Sequence, residues 1–109
     1  MQIADYERDG DGFLADPGNW TAEFAQLAAE EEGLEYTADF QEVVIWARTF
    51  FAESGSAPTI RDFGKGFYAD KFGKSDRKGP PQYLAGLTGG SGMKVVDKIA
   101  GLPKPTGCV

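Results

Sequence analysis

The chain carries one thiol, Cys108, and no histidine in its 109 residues. Without histidine, a Ser-His-Asp triad, a Cys-His dyad and a His-containing zinc site are all excluded. A lone cysteine closes no internal disulfide, and a thiolate metal centre needs several thiols, so Cys108 can contribute only to a shared one. What remains is chemistry the sulfur does by itself: nucleophilic attack, persulfide formation, or a mixed disulfide with a partner. Cys108 stands one residue from the C-terminus, behind Gly101-Leu102-Pro103-Lys104-Pro105-Thr106-Gly107. Chain ends are commonly the least ordered part of a domain. Pro103 and Pro105 stiffen the approach and Gly107 frees the backbone before the sulfur. Two readings follow from the residues alone, an incidental thiol on a frayed tail or a sulfur carried on an arm into a partner's site.

The elements that position this tail are read from periodicity. Asp9-Gly10 is a favoured turn pair, which predicts a short N-terminal β-hairpin over residues 2–15. The run Glu7 to Gly12 imitates a calcium loop, but the position that needs a bidentate Glu falls on Gly18, so calcium is rejected. Trp20, Phe24, Leu27 and Ala28 form an amphipathic stripe, predicting a first helix from Trp20 to Glu32 with Glu30-Glu31-Glu32 as its solvated end. Thr37 caps a longer helix through Ser54, whose apolar face of Phe40, Val43, Val44, Ala47, Phe50 and Phe51 makes it the expected centre of packing, with Trp46 a further core residue. Thr59 caps a third helix from Ile60, giving a helix-turn-helix-like segment that also occurs in many bundles that do not bind DNA. A loop over Lys71 to Pro81 precedes a short helix, Pro81 to Leu87. Thr88 to Gly92 is glycine-rich but lacks the Lys-Ser/Thr of a P-loop. Ser91 then caps a last helix, Gly92 to Ala100. The fold class expected is mainly α, a single compact helical bundle over residues 1–100 followed by a flexible arm, 101–109, that carries the cysteine.

Charge is unevenly divided. The net charge is −6. Residues 1–60 hold 13 acidic and two basic side chains, and residues 61–109 hold four acidic and nine basic ones. Such asymmetry suggests two faces with different partners, yet the overall acidity argues against self-sufficient nucleic-acid binding, which is expected to be weak or absent. No apolar run approaches a membrane span, and residues 1–7 carry no signal-like pattern, so no membrane association is expected. One unpaired thiol fits a reducing compartment, the cytoplasm.

Lys98-Ile99-Ala100-Gly101-Leu102-Pro103-Lys104-Pro105-Thr106-Gly107-Cys108-Val109 resembles the C-terminal arm of the DsrC/TusE family of small sulfur-carrier proteins. Asp11-Gly12-Phe13-Leu14 with Trp20, Ala57-Pro58-Thr59-Ile60-Arg61 with Lys65, and Tyr83-Leu84 extend the resemblance over nearly the whole chain. It implies a carrier whose penultimate cysteine holds sulfur as a persulfide, a sulfurtransferase-type activity without a cofactor or metal. Its partners would be sulfur-donor and sulfur-acceptor proteins, including those of tRNA thiolation. DsrC proper has a second cysteine eleven residues upstream; here that position is Asp97, so two-cysteine redox chemistry is excluded and the chain is similar to single-cysteine, TusE-like members. Two other places depart from the family, Thr88 to Gly92 in place of Phe-Pro-x-Gly-Pro and Phe40-Gln41 in place of His-Trp. An ordinary thiol has a pKa of about 8.5, and the Val109 carboxylate beside it would raise that. The cations expected to offset this at the sulfur are Arg61 above all, then Lys65, Lys98 and Lys104. The alternatives are a regulatory paralogue and a docking partner of sulfite-reductase-type enzymes.

Overall fold

Threonine and glycine punctuate the chain into short helices. The computed structural model describes residues 2–10, 12–73, 78–90 and 92–103. Its helices are α1 (Ala22–Glu31), α2 (Ala38–Ser54), α3 (Ile60–Phe63), α4 (Ala69–Phe72), α5 (Gly79–Thr88) and α6 (Met93–Ile99), with a π-helical turn, Gly64–Tyr68, joining α3 to α4. Thr21, Thr37 and Thr59 each accept a backbone N–H with the side-chain hydroxyl and so satisfy a donor that the helix start leaves open. Asp62 completes a reciprocal capping box with Thr59. Gly55, at φ +80°, stops α2 in the left-handed conformation. The mainly helical fold expected from periodicity is the fold observed.

The N-terminal hairpin is not formed as a ladder. Residues 7–15 fold back through a single antiparallel bridge between Arg8 and Leu14, and no strand longer than this occurs among the described residues. Upstream, Gln2 N–H donates to the Asp5 carboxylate and caps a 3-10 turn over Ile3–Asp5. That local bond bends away the residues that would have lengthened the ladder. The first helix likewise starts later than the apolar stripe suggests. Trp20 ends a 3-10 turn over Pro17–Asn19, and Thr21 takes the cap.

The π-helical turn has a packing cause. Its widened turn brings Phe63 and Phe67 into a stack, centroids 5.2 Å apart, and Trp46 meets both rings edge-on. Gly66 lets the indole lie against the backbone: a Cβ there would fall 3.0 Å from Trp46 Cζ2. Trp46 is therefore a packing residue, as expected.

The centre of the bundle is α6 rather than the long α2. α6 packs on α1, α2 and α5, and its Met93, Val96, Asp97 and Ile99 are buried. The core continues past the helix end: Ala100 and Leu102 are fully buried, and Gly101 with them, while Pro103 is exposed. The turn that ends α6 tucks Leu102 into the core. None of the helices among the described residues is long and apolar enough to cross a membrane.

Gly66→Ala should lower stability by about 1–3 kcal/mol, the usual cost of overpacking. Gly86→Ala in α5, where an added Cβ meets nothing within 4 Å, should raise it by about 0.4–1 kcal/mol. Paired urea titrations of the two variants check both signs.

Candidate functional site

Cys108 and Lys104 lie outside the described residues, so the site is built from what holds the root of the arm. A helix leaves its last carbonyls without intrahelical partners, and α6 ends deep in the protein. Two of its carbonyls are taken back by the turn itself: Leu102 N–H donates to Asp97 O at 3.0 Å and Gly101 N–H to Lys98 O at 3.1 Å. This is the paired-bond stop that requires a left-handed residue, supplied by Gly101 at φ +71°. The next two carbonyls go to side chains from far along the chain. Trp20 Nε1–H donates to Ile99 O at 3.0 Å, and Arg48 Nη1–H donates to Ala100 O at 2.8 Å. Arg48 Nη2–H also reaches Pro17 O at 3.2 Å, and its guanidinium lies 4.4 Å from the Trp20 ring centroid.

Sequence reasoning missed Arg48 and the hydrogen bond made by Trp20. The signal for Arg48 was a single cation within the apolar run Val43 to Phe51 of α2. Burial pulls the guanidinium's pKa down from its ordinary value. Trp20 packs against the core as its place in the apolar stripe implies, but it stands before α1 and its indole N–H is committed to α6.

Asp97 sits one turn before this root, on the inner face of α6. Its side chain is fully buried, and neither carboxyl oxygen meets a hydrogen-bond partner among the described residues. Burial first, and then the charge of Asp62 on α3, push its pKa up to about 8. Asp62 spends Oδ2 on Thr59, accepting from its N–H at 3.0 Å and its hydroxyl at 3.1 Å. Both effects favour the protonated, neutral form of Asp97.

The cations expected near the sulfur are dispersed. Arg61 on α3 and Lys65 in the π-helical turn are exposed, one turn apart. Lys98 points elsewhere: its Nζ pairs with Glu32 Oε1 at 2.7 Å, and its side chain passes over Gly12. The acidic end of α1 is exposed at Glu30 and Glu31, as expected, and two of its carboxylates are paired. Glu31 receives both guanidinium nitrogens of Arg8, at 2.6 and 3.2 Å, and that contact lowers its pKa. An apolar groove of about 470 Å³ opens between α5 and the start of α6, with Lys94 its single charged lining residue. No cluster of three or more potential metal ligands occurs among the described residues.

A family model described as DsrC like protein matches residues 1–109. The chain belongs to the DsrC family. Among curated relatives, Sulfurtransferase TusE of Escherichia coli K12 is 38% identical over 103 residues, covering 94% of this chain and 92% of the relative. Sulfurtransferase TusE of Salmonella choleraesuis is 39% identical over 101 residues, 93% of this chain and 90% of the relative. Among solved structures, DsrC of Allochromatium vinosum superposes with a TM-score of 0.80 at 33% identity, covering 95% of this chain and 90% of that one. The oxidized gamma-subunit of the dissimilatory sulfite reductase (DsrC) from Archaeoglobus fulgidus gives 0.75 at 32% identity, covering 95% and 92%.

The state of Asp97 in this DsrC-family body has a measurable consequence. An unfolded Asp loses its proton near pH 4, at about 3.9, whereas the folded one keeps it until about 8. The folded state therefore holds one more proton across that window. Stability from this group is fully present below pH 4 and is lost as pH rises through 8. Between pH 5 and 8.5 the Tm of the wild type should fall more than that of Asp97→Asn, a neutral isostere. Melting curves across that range, taken in one buffer series, check the difference.

Proposed function

We propose that this chain is a sulfur carrier: Cys108 accepts sulfur as a persulfide from a donor protein and passes it to an acceptor protein. The observation that carries the reading is the arrangement of the arm root. The sole thiol lies beyond a helix end that is anchored from two other parts of the fold, and the matched relatives are named sulfurtransferases. Counting from the exposed Pro103, the sulfur is five residues out, at most about 18 Å of extended chain at 3.3–3.6 Å per residue. That reach suits delivery into another protein's site rather than reaction within this one.

The exchange is balanced without an added oxidant or cofactor. Cys108, as thiolate, attacks the outer sulfur of the donor's persulfide. The donor's S–S bond breaks, its inner sulfur leaves with the electron pair and takes up a proton, and a new S–S bond forms on Cys108. Handover repeats the same exchange, with the acceptor's thiolate attacking the outer sulfur and Cys108 the leaving group. Only the thiolate is nucleophilic, so a cation near the sulfur increases the reactive fraction. Arg61 and Lys65, exposed and adjacent on the surface, are the side chains we assign to that task when the arm folds back. Lys98 already answers Glu32. The role of Lys104 rests on its nearness in sequence to Cys108.

The partners are sulfur-donor and sulfur-acceptor proteins of a relay such as tRNA thiolation, working in the reducing cytoplasm where a lone thiol persists. Docking to a sulfite-reductase-type enzyme is the second reading. With one cysteine, it would be docking without an internal disulfide cycle.

Incubation with a cysteine desulfurase and cysteine should add the mass of one or more sulfur atoms to the intact protein, and Cys108→Ser should stay unmodified. A wild type that gains no mass from any competent persulfide donor would refute the carrier reading. Removing residues 104–109 should abolish acceptance and leave the Tm unchanged, whereas Leu102→Ala should cost about 2–5 kcal/mol as a buried leucine truncation.

A further inference from the structure

We infer that Trp20, Arg48 and Gly101 are positioning residues that set the direction in which the arm leaves the body, and so control sulfur transfer between proteins. The inference rests on the carrier reading for its functional consequence; its structural part stands apart from it.

The geometry carries more than an ordinary helix stop needs. The turn bonds through Gly101 and Leu102 already end α6. Beyond them, the last two peptide carbonyls before the left-handed residue, Ile99 O and Ala100 O, are each gripped by a different side chain, one from ahead of α1 and one from α2. The two grips are tied together. The Arg48 guanidinium covers the Trp20 ring and spans from Ala100 O to Pro17 O, on the turn that ends in Trp20. A planar guanidinium held by two carbonyls and a ring face has little freedom, and lysine reproduces neither the fork nor the stack. The indole also closes over Gly101: a Cβ there would lie 2.5 Å from Trp20 Cδ1 and 2.9 Å from Trp20 Cβ. Position 101 is thus restricted to glycine twice over, by its positive φ and by the ring above it.

Such a pivot fixes the peptide planes of residues 99 and 100, and with them the direction of the chain at Pro103. Pro103 adds its own fixed φ. With only about 18 Å of extended chain between Pro103 and the sulfur, a rotation at the root displaces the thiol by a large part of its reach. A small reagent reaches the sulfur whichever way the arm points, whereas a protein donor must meet it in one place, so that rotation acts chiefly on transfer between proteins.

Because Cys108 is the only thiol, a nitroxide attached there reports arm placement on the amides of the body through paramagnetic relaxation. The variants are Gly101→Ala, Trp20→Phe, which keeps a ring and loses the N–H, and Arg48→Lys, which keeps the charge. Expected are a preserved set of body amides, a displaced relaxation footprint, and a rate with a small disulfide reagent that changes far less than protein transfer does. Transfer from a persulfide-loaded desulfurase should fall by about tenfold or more, since misplacing a reacting group by about 1 Å can cost about 10²-fold. If Gly101→Ala fails to fold, the two milder variants decide. A footprint identical in wild type and variants overturns the pivot, and so does a small-reagent rate that falls in parallel with protein transfer. If the footprint moves but the wild type accepts no sulfur from the desulfurase, the carrier reading fails and the pivot stands.

Discussion

A helix that ends in the interior must place its last carbonyls somewhere, and α6 ends in the interior. Water cannot reach Ile99 O and Ala100 O freely there, and an unpaired buried carbonyl costs about 1–3 kcal/mol. The protein answers with Trp20 and Arg48, at 3.0 and 2.8 Å. That demand organises much else. It draws the 3-10 turn at Pro17–Asn19 against α2 through Arg48. It also delays α1 to Thr21 and leaves Leu102 packed inside while Pro103 turns outward.

The same helix carries a second unusual load. Asp97 is a buried acid without a hydrogen-bond partner among the described residues, facing a second carboxylate on α3. Burying a charge there would be costly, so the group stays neutral instead. Its backbone is fully used, with Asp97 O accepting from Leu102 N–H in the turn that starts the arm. The acid and the arm root are therefore one structural unit, and a change at residue 97 acts on the core from which the arm emerges.

The body's charged side chains pair with one another to fix the frame, as Glu31 does with Arg8 and Glu32 with Lys98. Its aromatic residues, Trp46, Phe63, Phe67 and Tyr83, stack around the π-helical turn. A carrier fits this division of labour: a small rigid body is recognised by partners, and a short reactive segment is presented from it. In the proposed carrier, reactivity lies in one sulfur and specificity in where that sulfur is held.

Read as sequence, this chain declares a good deal. The absence of histidine and the single thiol restrict its chemistry, and those are facts of composition. Thr37 and Thr59 mark helix starts because caps act over three or four residues, and the structure places them as read. The C-terminal run from Lys98 to Val109 is specific enough to point to the DsrC family. Other features needed the fold. A 3-10 turn could replace most of a ladder near the N-terminus because a short local bond competes with pairing that depends on the rest of the body. Trp20 and Arg48 meet Ile99 and Ala100 across 79 and 52 residues, and a contact at that separation leaves no periodicity to read. Asp97 looks like any surface acid in sequence. Its burial is decided only when α6 is enclosed by its neighbours, because desolvation depends on what surrounds a group in space rather than on what adjoins it in the chain.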